Sequence, residues 1–86
     1  MYEIVFTPAA KKEYLKLEKK EKERASLALR RLRINPERYL KKLIGTGYYR
    51  LRVGDHRLII ELRKNKLLIL LIKIGHRKNI YKKLYF

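Results

Sequence analysis

The sequence predicts an α+β fold, with a mainly antiparallel four-stranded sheet and an N-terminal helical hairpin packed on one of its faces, all in a single domain over residues 1–86. Three observations predict it. Apolar residues recur at helical spacing between Pro8 and Arg33, the pattern switches to alternation after Gly47, and Leu67 to Ile74 is apolar on both parities. A chain this short leaves roughly 40% of its unfolded surface exposed, so it supports one modest core.

Tyr2 to Thr7 reads as a short strand with Ile4 and Phe6 on one side. Thr7-Pro8 then opens a helix, since Thr caps a helix start and Pro suits the first helical position. Ala10, Tyr14 and Leu17 form one apolar stripe and Ala25, Ala28, Leu29 and Leu32 another, with the charged run Glu18 to Arg24 between them. A hairpin of two helices buries both stripes, and one long helix has the same local spacing. Asn35-Pro36 ends this region. Glu37 to Leu43 reads as one further helical turn, and Gly45-Thr46-Gly47 as a joint. From there Leu51 and Val53 alternate with Arg50 and Arg52 in a half-buried strand. Gly54-Asp55 turns the chain, Arg57 to Arg63 alternates again, and Lys64-Asn65 turns it once more. Leu67 to Ile74 is a central strand. Beyond Gly75-His76-Arg77, the tail Lys78 to Phe86 places Ile80, Tyr81, Leu84 and Tyr85 at helix-like spacing.

The chain carries 24 Lys and Arg against 8 Asp and Glu, a formal net charge of +16. Self-repulsion of that size is tolerated best against a polyanion or an acidic partner. In residues 1–43 the Glu side chains are interleaved with Lys and Arg, as on a solvated helical face. In residues 44–86, Asp55 and Glu61 are the only carboxylate side chains, which leaves most of that half's positive charge available to phosphate. The absence of Cys excludes a disulfide framework. The longest apolar run, Leu67 to Ile72, is far short of the ~20 residues of a membrane span, and no basic, apolar leader opens the chain. A cytoplasmic protein with no membrane partner is the expectation.

If Gly54 and Asp55 are the two turn residues, Val53 faces His56, Arg52 faces Arg57 and Leu51 faces Leu58. Leu51, Val53, Leu58, Ile60 and Leu62 then share the helix-packed face, and Arg50, Arg52 and Arg57 gather on the other. Like charges directly opposite destabilise by up to about 1 kcal/mol, a cost that an anion lying between them would remove. His76, Arg77 and Tyr81 follow the central strand and are expected to complete a pocket there. Such a set supplies what RNA cleavage without metal requires: donors for the phosphate charge, and proton-transfer groups for the 2′-hydroxyl and the leaving 5′-oxygen. With so few carboxylates and no Cys, neither a divalent-ion site nor zinc is expected, and no cofactor is implied.

The string YYRLRVGDHRLII (Tyr48 to Ile60), followed by an apolar strand and KIGHRKNIY (Lys73 to Tyr81), resembles the RelE/ParE superfamily of toxin–antitoxin toxins. The likeness covers essentially the whole chain. It implies a RelE-like fold and a ribosome-dependent mRNA endonuclease that inhibits translation. It also implies a cognate acidic, RelB-like antitoxin, held in a higher-order hetero-oligomer. By that resemblance Arg57, Arg77 and Tyr81 are catalytic and Arg50 and Arg52 bind substrate; His76, read from its place after the central strand, is a further candidate substrate-binding residue. Arg50 and Arg52 stand where some relatives have Lys, and Arg is a poor general base, so the base falls to Tyr81 or His76, with His56 more distant. Two other functions fit the same sequence, a ParE-like gyrase poison and a non-catalytic RNA-binding module. Arg77 and Tyr81 favour the nuclease. The apolar Ile59, Leu68 and Leu70 share parity with the arginine face, which suggests a half-covered surface for the antitoxin.

Overall fold

The computed structural model describes residues 1–80, so Tyr81, Leu84 and Tyr85 lie outside the described residues. The chain begins with β1 (Glu3–Phe6), in which Ile4 and Phe6 pack on the core as their parity requires. Thr7 then caps α1 (Pro8–Lys16), its Oγ1 accepting from the Ala10 N–H at 3.1 Å. Leu17 and Glu18 both adopt extended backbone, with ψ 149° and 155°, and α2 (Lys19–Ile34) follows. There are thus two helices rather than one. The break lets both stripes reach one sheet: Ala10 from α1 and Ala25, Leu29 and Leu32 from α2 share a single apolar cluster.

The stretch after Asn35 departs from the sequence expectation. Only Pro36–Tyr39 is helical (α3), and Lys41–Leu43 forms a strand, β2, where a continued helical turn was expected. Lys-Lys-Leu carries almost no strand signal of its own. It pairs because β3 (Tyr48–Val53) offers a free edge, and because Gly45 and Gly47 take φ of 82° and 75° to reverse the chain onto it. The sheet therefore has five strands rather than four.

β4 (His56–Arg63) returns from β3 around Gly54, whose φ of 58° suits glycine, and a short 3-10 turn at Lys64–Lys66 leads into β5 (Leu68–His76). The strand order is β1-β5-β4-β3-β2, with β1 and β5 parallel and the other pairs antiparallel. β5 lies between β1 and β4, an interior position that matches its apolar content.

A bulge divides β5. Ile59 pairs with Lys73 but Ile60 with Leu71, so Ile72 is the extra residue and the strand changes which parity faces the helices. Ile69 and Leu71 before it and Ile74 after it all enter the helix-side core. Thr7 Oγ1 donates to the Ile72 carbonyl at 2.8 Å, which ties the bulge to the start of α1. Among the described residues no helix is long and apolar enough to cross a membrane.

Candidate functional site

The β3–β4 register places Val53 opposite His56, Arg52 opposite Arg57 and Leu51 opposite Leu58, as the turn assignment requires. Leu51, Val53, Leu58 and Ile60 face the helices and lie in the core. The other face carries two rows of paired residues. One runs Lys41, Arg50, Ile59, Lys73 across four strands; the second runs Arg52, Arg57, Gly75 across three. Strands lie about 4.8 Å apart, so the first row spans on the order of 15 Å. Lys73 was not among the residues that sequence reasoning singled out. The bulge at Ile72 hides its parity, because counting forward from Ile69 and Leu71 without it assigns Lys73 to the helix face.

Arg52 and Arg57 differ in what their guanidiniums do. Arg52 is exposed, whereas Arg57 is only 7% exposed. Arg57 folds back over the turn, its Nη1 donating to the Gly54 carbonyl at 3.0 Å and the His56 carbonyl at 2.9 Å. Of the two like charges in facing positions, one is thereby held on the turn and the other stands in solvent. Arg50 is half-buried. The three arginines share the face that strand parity assigns them, with Arg52 exposed and Arg57 anchored in the turn.

Arg77 reaches the same turn from β5. Its backbone N–H donates to the Asp55 carbonyl at 2.8 Å, and its Nη1 lies 3.8 Å from Asp55 Oδ1. The side chain is about half exposed. Gly54 and Asp55 are therefore the hub around which Arg52, Arg57 and Arg77 are arranged, with Arg52 and Arg77 the two that face solvent.

His76 lies elsewhere than expected. β5 continues to His76, which pairs with His56 in the ladder and shares its parity, that of Leu58 and Ile74. Its ring meets the His56 ring at 5.9 Å and 74°, and the Nδ1 of His56 lies 2.9 Å from the Glu21 carboxylate on α2. The histidines stand behind the arginine end of the sheet rather than among the arginines. A small cavity of about 60 Å³ beside them is lined by Leu17, Glu21, Arg24, Val53, Asp55 and His56. Tyr81 lies outside the described residues. Among the described residues no three His, Asp or Glu side chains gather to hold a metal ion.

The face opposite the helices is also more covered than the sequence suggested. Ile59 is fully buried, and Ile80 lies over Gly75, where an added Cβ would come within 2.6 Å of the Ile80 Cδ1. Leu68 and Leu70 stay half-buried, next to an exposed Val5.

Comparison with known proteins bears on the whole chain. The family described as the ParE toxin of type II toxin–antitoxin systems matches residues 4–81. No curated protein sequence matches. Among solved structures, the archaeal RelE–RelB complex from Pyrococcus horikoshii OT3 is similar at 28% identity and a TM-score of 0.76, covering 88% of this chain and 94% of that chain. The intact E. coli RelBE toxin–antitoxin complex is similar at 27% identity and a TM-score of 0.75, covering 88% and 96%. The isolated E. coli RelE toxin, at 21% identity and a TM-score of 0.76 over 96% of this chain and 94% of that chain, shares the fold.

Proposed function

The chain belongs to the ParE toxin family of type II toxin–antitoxin systems, and from that premise we propose that it is a ribosome-dependent, metal-independent mRNA endonuclease that stops translation. The observation that carries the reading is the grouping of Arg52, Arg57 and Arg77 about the Gly54-Asp55 turn, two of them exposed and the third bracing the turn. The Arg50 row extends the same face.

In this reading the 2′-hydroxyl of the substrate attacks the neighbouring phosphate. A bond forms from the 2′-oxygen to phosphorus, the bond to the 5′-oxygen breaks, and a cyclic phosphate is left on the upstream fragment. Arg52 and Arg77 donate to the non-bridging oxygens as negative charge builds on them. Arg57 acts from behind by fixing the turn that carries Asp55, and Arg50 holds the adjoining backbone. One proton must leave the 2′-hydroxyl and one must reach the 5′-oxygen. Arginine keeps its proton at any ordinary pH, so we assign this transfer to Tyr81, whose phenolic oxygen takes the proton from the 2′-hydroxyl and passes it to the leaving 5′-oxygen. The scarcity of carboxylates on this face supports chemistry without a bound metal.

The toxin is held inactive by an acidic antitoxin in a hetero-oligomeric complex. The charge of +16 supports that partner, and the half-buried Leu68 and Leu70 beside exposed Val5 offer it an apolar strip. The reading is tested by giving the purified protein mRNA on translating ribosomes in one reaction, and DNA gyrase with plasmid in another. Cleaved mRNA with intact plasmid is expected. Gyrase-dependent DNA breaks with intact mRNA would make it a gyrase poison instead, and salt-dependent RNA binding without any cleavage would make it a binding module.

A further inference from the structure

Behind the arginine end, a chain of contacts links α2 to the residue after β5. His56 Nδ1 faces Glu21 Oε2 at 2.9 Å and so carries its proton toward the carboxylate. The His56 ring meets the His76 ring edge to face. His76 Nδ1 accepts the backbone N–H of Lys78 at 3.2 Å, so that nitrogen is bare and the proton of the neutral ring sits on Nε2. The His76 carbonyl accepts from the Asn79 N–H at 2.9 Å. Between these two bonds Arg77 gives its own N–H to Asp55.

The reversal that ends β5 is thus pinned from both sides, by the ring and carbonyl of His76 and by the Asp55 carbonyl. Arg77 is the residue in the middle. With its side chain about half exposed and its Nη1 at 3.8 Å from Asp55 Oδ1, little besides the backbone sets its direction.

We infer that His76 is a positioning residue for Arg77 and does not touch RNA: its Nδ1 fixes the peptide of Lys78, and Glu21, acting through His56, fixes the ring. The inference rests on the nuclease reading of Arg77, and it replaces His76 as a candidate substrate group or base. The chemistry requires only an acceptor two residues before the Lys78 N–H. An Asn carbonyl supplies one, since Asn side chains bond the backbone two residues on, yet Asn cannot act as a base.

The test compares His76→Asn with His76→Leu in the full chain, alongside thermal melts. Two readouts are needed: kcat and KM for mRNA cleavage on ribosomes, and hydrogen exchange at the Lys78 and Arg77 amides. His76→Leu is expected to lower kcat by about tenfold or more, since a misplacement of about 1 Å caused by a mutation away from the chemistry costs up to about a hundredfold. It should also accelerate exchange at both amides while the melting temperature holds. His76→Asn is expected to keep cleavage within about threefold of the parent and to preserve protection. A His76→Asn variant as inactive as His76→Leu with both amides still protected would overturn the inference, because His76 would then act on the substrate itself. Parent-level cleavage by His76→Leu would overturn it too. If the parent protein cleaves no mRNA, the nuclease reading fails, and the amide protection alone then decides whether His76 holds the Arg77 segment.

Discussion

Arg52 stands directly opposite Arg57 across the β3–β4 hairpin, and the two have divided their roles: Arg52 is exposed, and Arg57 buries its guanidinium on the Gly54 and His56 carbonyls. A pair of like charges at facing positions is tolerated here because one is spent on the turn. The division separates stability from binding, and each can be measured alone.

Arg57→Ala is expected to lower unfolding stability by about 1–3 kcal/mol, because two turn carbonyls lose a buried, charged donor. Arg52→Ala at the exposed position is expected to stay within about 0.5 kcal/mol of the parent. In binding to a short single-stranded RNA the effect should appear for Arg52→Ala, with the slope of log affinity against log salt shallower by about 0.7 for one lost phosphate contact. Urea titrations and fluorescence anisotropy over a salt series check the two halves. Equal stability loss in both variants would contradict the division.

Thr7 joins two elements through one hydroxyl, accepting from the Ala10 N–H and donating to the bulged Ile72 carbonyl. Thr7→Ala is expected to cost about 2 kcal/mol, the upper end for loss of a helix cap, and Thr7→Ser to cost much less. Chemical denaturation of the three proteins decides it. A Thr7→Ser variant as weak as Thr7→Ala would show that the methyl group matters and the hydroxyl does not.

Gly75 is required by a close approach. An added Cβ would meet the Ile80 Cδ1 at 2.6 Å. Gly75→Ala is expected to destabilise by about 1–3 kcal/mol through overpacking. Adding Ile80→Val removes that Cδ1 and should restore part of the loss, although Ile80→Val alone destabilises by about 1 kcal/mol. A double-mutant cycle measures the coupling, and strictly additive losses would contradict the contact.

Lys64 carries a pKa raised above its usual value by its hydrogen bond to Glu37, at 3.0 Å. A raised lysine pKa contributes stability that is present below the ordinary lysine pKa and is lost as pH rises through the raised one. Both side chains are exposed, so water and salt screen the pair. Glu37→Gln is therefore expected to leave the melting temperature unchanged at pH 7 in 0.15 M salt. A clear drop under those conditions would show that the bridge is stronger than its exposure allows.

Much of this architecture is legible in the residues. Gly54-Asp55 marks a two-residue turn between alternating runs, and that alone fixes Arg52 against Arg57. Three features are not. β2 exists because β3 has a free edge, a tertiary fact that Lys41-Lys42-Leu43 does not announce. The bulge at Ile72 puts the helix-facing Ile69 and Leu71 on one parity and Ile74 on the other, and it conceals that Lys73 lies in the Arg50 row. His76 reads as a loop residue near the arginines, yet it ends the strand and faces His56. The Glu21–His56 contact joins residues far apart in sequence, and Glu21 lies within a charged run that reads as solvated helix surface.

Primer extension on mRNA translated by purified ribosomes, with the parent protein, Arg77→Ala and Tyr81→Phe run side by side, tests the central claim most directly. The parent is expected to produce new 5′ ends within the reading frame. Arg77→Ala should reduce them by about a hundredfold, as loss of one donor to a developing oxyanion does, and Tyr81→Phe should reduce them strongly without weakening RNA binding. Cleavage at the parent rate by both variants would contradict the account.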